Sequence, residues 1–217
     1  MTELRHFVVG PVSTNCYFLV NKETGEALVV DPGASSKALW EELSKEDFTP
    51  VGILLTHGHF DHADGVEEFS SIYQERFGKD LFVGTSELEK ETLRDFSLNL
   101  SQMFTGESKS YEANYFFRDQ EEMELGGMKF RVLSTPGHTA GGCCYYFPGE
   151  GLVFSGDTLF CGSVGRTDFP GGSMSTIVQS IREKLLVLPD HTKVLPGHDS
   201  MSTIENEKRM NPYCAML

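Results

Sequence analysis

Five of the chain's seven histidines fall in three short motifs, and the densest reads Thr56-His57-Gly58-His59-Phe60-Asp61-His62. Imidazole nitrogen and carboxylate oxygen are the donors that a borderline divalent cation such as zinc accepts. A site of this kind with open positions polarises a carbonyl or activates water. Donors at i, i+2, i+4 and i+5 crowd one another around a single ion, so the spacing points to two. His138, Asp157 and His198 complete a candidate set of seven ligands with His57, His59, Asp61 and His62. His6 and His191 stand outside the motifs and read as ordinary surface or packing residues.

Each motif closes an apolar run. Val51–Thr56 reads as a short strand, and Gly58 and Gly65 bracket the loop after it. A helical pattern follows, with Val66, Phe69, Ile72, Tyr73 and Phe77 at helical spacing. Met128–Thr135 alternates like a strand and ends in Pro136-Gly137-His138-Thr139; residues 151–156 end in Asp157, and 193–197 end in His198. A lone histidine beside a glycine is usually a turn residue, but four strand ends delivering seven donors are not explained that way. Open α/β sheets place their sites at such carboxyl ends.

The remaining elements supply the frame. Strand-like runs at 16–20 and 27–31 lead into an amphipathic helix around Ser36–Glu46, with Leu39, Trp40 and Leu43 on one face. A second half begins near Met128, and its helix from about Ser173 turns Ile177, Ile181, Leu185 and Leu188 inward. Ser86–Leu93 is helical in composition. Phe104–Asp119 has no period and is expected to be a mobile loop lining the cleft. Patterning alone gives an α/β protein.

The motifs THxHxDH at 56–62, PGHT at 136–139, SGDTLF at 155–160 and PGH at 196–198 resemble, in this order, those of the metallo-β-lactamase-fold superfamily. Within it they look like the glyoxalase II-like hydrolases. Leu159–Gly172 resembles the GSxGRTDFP loop of the small single-domain members, and Met201–Tyr213 resembles their closing TTIxxExxxNP segment. The resemblance implies a four-layer αββα sandwich forming one domain over residues 1–217. It also implies two divalent ions, zinc first, with iron or manganese as alternatives. By position, His57, His59 and His138 would hold one ion and Asp61, His62 and His198 the other, with Asp157 bridging. Asp61 would have a second, catalytic role as a proton acceptor. Arg166 would contact substrate, with a structural ion pair to Asp168 as the competing role. Asp31 matches the family's DPG turn, where its carboxylate would hold the ligand loop rather than merely close the turn.

The implied activity is glyoxalase II-type hydrolysis of thiolesters such as S-D-lactoylglutathione by a metal-bridging hydroxide. A mononuclear Fe(II) persulfide dioxygenase using His57, His138 and Asp157 is the alternative, and a lactonase ranks below it. The best-known β-lactamase subclass carries Cys where this chain has Asp157, which points away from β-lactams. A metal-binding module without turnover would be told apart by bound metal and no activity. One departure from the subgroup is Asp199-Ser200, where Gly-Pro is usual.

Composition agrees with a globular enzyme: 217 residues with 39% hydrophobic content fit a single α/β domain. The net charge of −14 leaves no basic stripe for nucleic acid, and no apolar run reaches membrane-spanning length. The expected partner is a small acyl-thiol substrate. Five cysteines without regular spacing read as reduced thiols in a cytoplasmic protein, with the adjacent Cys143 and Cys144 facing opposite sides of a strand.

Overall fold

A computed structural model describes residues 1–34, 37–45 and 48–215. The first sheet runs in chain order through β1 (Thr2–Val9), β2 (Thr14–Asn21), β3 (Glu26–Val30), β4 (Thr49–Leu54), β5 (Phe82–Ser86) and β6 (Tyr115–Phe117). Its first three strands are antiparallel, and β3 to β6 are parallel. Parallel neighbours require crossovers. These are supplied by α1 (Lys37–Ser44), by α2 (Phe60–Ala63) with α3 (Val66–Phe77), and by α4 (Lys90–Arg94) with α5 (Ser101–Thr105).

The second sheet contains β7 (Glu122–Leu125), β8 (Met128–Ser134), β9 (Cys143–Phe147), β10 (Leu152–Gly156), β13 (Lys193–Pro196) and β14 (Ser202–Thr203), in the order β14-β13-β10-β9-β8-β7. Between β10 and β13 lie a small hairpin, β11 (Leu159–Phe160) with β12 (Ser163–Val164), and α6 (Met174–Ser180), which a π-helical turn extends over Ile181–Leu185. The chain closes with α7 (Ile204–Met210) and α8 (Pro212–Ala215).

Alternation along the strands explains why the sheets stack. On β2, Cys16, Phe18 and Val20 pack with Leu39, Trp40, Leu43, Phe69 and Tyr73 of α1 and α3. Tyr17 and Leu19 point the other way, to Phe130, Tyr145 and Phe154 of the second sheet. A third core lies beneath α6 and α7, where Val153, Val194 and Cys144 meet Ile177, Ile181 and Ile204. The central strands β2, β3, β9 and β10 are buried on both faces, which gives the four-layer αββα sandwich expected from the resemblance. Cys143 and Cys144 fall in different cores, as their adjacency requires, and no described cysteine is bonded to another.

Some expectations are refined. The first helix spans Lys37–Ser44; Ser36 and Glu46 lie outside the described residues. Phe77 ends α3 but is 44% exposed, because the apolar stripe has drifted off the sheet by the last turn. The stretch Phe104–Asp119 is irregular over residues 106–114, as expected, but does not run along the cleft. Lys109 and Tyr111 bond to Asp64, the Asn114 side chain bridges Val83 and Leu81, and Tyr115–Phe117 extends the sheet as β6. Of this stretch, Phe104 is the residue that lines the cleft.

The closing segment acts as a latch. Thr203 caps α7 by accepting from Asn206 N–H, and Ile204 enters the core. The fully buried Glu207 accepts from Gly162 N–H at 2.9 Å, from Asn211 Nδ2 at 2.8 Å and from Ser202 Oγ. Asn211 also donates to Ser163 O, so α7 holds the hairpin that follows Asp157. Glu207→Gln places a donor against these donors, and we expect a loss of about 1–3 kcal/mol in urea unfolding. A change below about 0.5 kcal/mol, the range of ordinary surface substitutions, would contradict the latch.

Candidate metal centre

All seven sequence-derived ligands meet at one rim of the sandwich. His57, His59, Asp61 and His62 follow β4, His138 follows β8, Asp157 follows β10 and His198 follows β13. His57 Nε2 lies 3.1 Å from His59 Nδ1, which lies 3.0 Å from His138 Nε2. The three rings stand nearly perpendicular to one another, at 80° to 84°. Metal–nitrogen bonds of about 2.0–2.1 Å at a tetrahedral angle separate the nitrogens by roughly 3.3 Å, close to what is seen.

The second group forms beside the first. Asp61 Oδ2 lies 3.4 Å from His62 Nε2 and 3.2 Å from His198 Nε2. Asp157 stands between the groups, with Oδ1 3.5 Å from His62 Nε2, and Oδ2 3.5 Å from His138 Nε2 and 3.6 Å from His198 Nε2. The sets His57/His59/His138, His57/His62/Asp157 and Asp61/His62/His198 each bring their donor atoms within 4.8 Å of one another.

These residues fit divalent ions. His62 Nε2 and Asp157 Oδ1 are buried without a hydrogen-bond partner. Buried polar atoms are normally paired, and a cation between them would satisfy both. The far nitrogens of three of the histidines are held by protein, which orients each ring and turns its near nitrogen to the group. His138 Nδ1 meets Arg166 O at 2.7 Å, His62 Nδ1 meets Asp31 Oδ2 at 2.9 Å, and His57 Nδ1 meets Thr56 Oγ1 at 3.1 Å.

Asp31 does more than close a turn. Its carboxylate accepts from Thr56 N–H at 2.8 Å and from Thr56 Oγ1 at 2.7 Å besides meeting His62. The backbone there sits at φ 51°, an uncommon conformation for a non-glycine residue. Gly33, two residues on, passes so close to the ligand loop that a Cβ would lie 1.5 Å from Asp61 O. At Asp199, φ is 63°, which explains why glycine suits this position in the subgroup; Asn15 Nδ2 donates to Pro196 O and Asp199 O and holds the His198 loop.

The electrostatics divide the centre in two. Burial, reinforced by the neighbouring imidazoles, pushes His57 and His59 well below the ordinary histidine range, leaving neutral donors. Burial also opposes charge on His62, but Asp61, Asp31 and Asp157 outweigh it and push it up to about 10. Burial acts to raise Asp61, yet His62, His198 and the Thr14 hydroxyl hold it below the usual carboxylate range. The carboxylates therefore favour positive charge on the Asp61/His62/His198 side.

Two contributors were not evident in the sequence. Thr14 Oγ1 donates to Asp61 Oδ2 at 2.8 Å from the start of β2. Glu89, fully buried, contacts both ligand loops of the three-histidine group. A polar Thr14-Asn15 pair opening a wholly buried strand was the available signal for the first; Glu89 gave none, being one acidic residue in an acidic helical segment.

A cleft of about 150 Å³ opens over the ligands, lined by Phe60, Leu100, Phe104 and Phe169 with Arg166 at its edge. Phe104 stacks on Phe60 at 5.5 Å and meets Phe169 edge-on. Arg166 forks onto Asp168 with two bonds of 2.7 Å and lies 4.0 Å above the Phe169 ring. The ion-pair role weighed for Arg166 is present, and the residue also borders the cleft.

Residues 9–198 match the metallo-beta-lactamase superfamily model. The chain belongs to that superfamily. Among its relatives, a probable metallo-hydrolase of Bacillus subtilis, YqgX, is 39% identical over 96% of each chain. The hydroxyacylglutathione hydrolase GloC of Haemophilus influenzae is 32% identical over 92% of each. The crystal structure of BLEG-1, described as a B3 metallo-beta-lactamase, superposes with a TM-score of 0.88 at 36% identity, covering 98% of this chain and 99% of the other. Membership and the histidine–aspartate groups together mark the chain as a metallo-hydrolase built for divalent metal. Among the described residues, no helix is long and apolar enough to cross a membrane.

Proposed function

We propose that the protein is a two-metal hydrolase of the glyoxalase II type that cleaves small acyl-thiol esters such as S-D-lactoylglutathione. The observation that carries this reading is Asp157, whose two oxygens face both ligand groups at 3.5–3.6 Å. The likeness to GloC supports the substrate class. The second group is as fully assembled as the first, as a two-ion site requires; persulfide dioxygenases keep the same motifs, so the number and identity of the bound ions separate the two readings.

His57, His59 and His138 would hold one ion, Asp61, His62 and His198 the other, with Asp157 shared. Divalent metal bound there would lower the pKa of water and polarise the ester carbonyl. Asp61 lines the cleft as a carboxylate, kept ionised by His62 and His198, and would orient the attacking water by accepting its hydrogen bond. Phe60, Phe104 and Phe169 exclude bulk water from the reacting carbon. Arg166 borders the cleft with an exposed guanidinium, ready to exchange Asp168 for a carboxylate of the thiol carrier. A thiolate leaves readily, so no dedicated general acid is needed.

The test measures S-D-lactoylglutathione hydrolysis by zinc-loaded protein beside His59→Ala. We expect turnover that falls at least about a hundred-fold in the variant, since even outer partners of a metal ligand command 10–100-fold. Persulfide-dependent oxygen uptake with one iron per chain, or hydrolysis confined to a β-lactam, would overturn the proposal.

A further inference from the structure

Glu89 stands on the turn before α4, fully buried and outside every ligand group. Its Oε2 accepts from Gly58 N–H at 2.7 Å, and its Oε1 accepts from Thr139 Oγ1 at 2.6 Å and from Gly141 N–H at 2.9 Å. Gly58 lies between His57 and His59, and Thr139 follows His138. One carboxylate thus ties together the two loops that carry the three-histidine group. The contact is close as well as polar. A Cβ on Gly58 would lie 2.9 Å from Leu93 N, and one on Gly141 would lie 2.4 Å from Leu88 C, so both loops press directly on the backbone around Glu89.

A buried carboxylate is costly unless its oxygens are satisfied. Here neutral donors do this, including the Thr92 side chain. The Asp61/His62/His198 group draws on different partners, namely Asp31, Thr14 and Asn15.

We infer that Glu89 is a positioning residue that sets the spacing of the His57, His59 and His138 nitrogens and so controls metal affinity at that group selectively. This rests on the reading of those residues as ligands. Glu89→Gln keeps the size but replaces one acceptor by an NH₂, which opposes either Gly58 N–H or Gly141 N–H. One loop is then released while the other stays bound.

The experiment titrates zinc into metal-free full-length protein against a chelator and resolves the two binding steps, with circular dichroism checking the fold. In Glu89→Gln the step assigned to the three-histidine group, identified by its loss in His59→Ala, should weaken about 10–100-fold, the range typical of outer metal partners. The other step should hold within about three-fold. Thr139→Val, which removes a single donor to Oε1, should weaken the same step by less; it serves as the measurement if Glu89→Gln does not fold. Both steps unchanged, or both weakened equally, would overturn the inference. Thiolester turnover does not enter the readout: two resolved zinc steps without hydrolysis would sink the proposed activity and leave Glu89 standing.

Discussion

Asp157→Asn is expected to abolish thiolester turnover while leaving the metal-free protein folded and close to its parent in stability. The carboxylate stands between both ligand groups, and Oδ1 is buried with no partner of its own. In the metal-free chain this atom forfeits solvation and receives no bond in return, a cost of about 1–3 kcal/mol. The amide lightens that cost but gives up the attraction of the carboxylate to His62 and His198, so the two effects offset each other. With metal the balance tips, because an amide cannot supply two anionic oxygens to two cations. Outer partners of a metal site command about 10–100-fold in affinity or activity, and a shared ligand should exceed that. The expected result is a zinc content falling from two towards one per chain, turnover below a hundredth of the parent, and a smaller metal-induced rise in melting temperature than in the parent. Two retained ions with turnover within ten-fold would show that Asp157 does not join the groups.

Gly33→Ala should be a highly damaging single methyl. Its Cβ would fall 1.5 Å from Asp61 O and 2.5 Å from Asp61 C. Both are backbone atoms of the helix that carries Asp61 and His62, so no side chain can swing away. Overpacking that displaces backbone costs typically 1–3 kcal/mol and sometimes more; here we expect at least about 3 kcal/mol in urea unfolding. Metal should be lost first from the Asp61/His62/His198 group. Gly149→Ala is the matched control, since nothing lies within 4 Å of a Cβ there. It should be neutral or slightly stabilising. A Gly33 variant as stable as this control would mean that the approach of the two turns is looser than the structure has it.

The seven candidate ligands were legible because each motif follows an apolar run, and strand ends are where the chain turns its polar groups towards a cleft. The helices over 37–44 and 66–77 were legible from their stripes, since Leu39, Trp40, Phe69 and Tyr73 all face one sheet. Glu89 was not, because its bonds reach residues 31 to 52 positions away and impose no period on its own segment. Phe104–Asp119 misled for a related reason. Its residues are fixed by isolated anchors, Lys109 and Tyr111 on Asp64 and Asn114 on β5, and such anchors carry no repeat. The latch around Glu207 lay between these cases. The closing motif was visible as a string of letters, while its purpose, bonding Gly162 and Ser163, required the fold.

The sequence division of the two sheets has one more consequence. Every strand of the first sheet precedes residue 118, and every strand of the second follows 121. Four of the seven ligands come from the first stretch and three from the second, so the centre sits astride a seam between two halves of the polypeptide. An ion held there is a rivet as much as a reagent. Its departure would relax the alignment of one half on the other at the rim, and a chelator would act on this molecule as a mild, local denaturant.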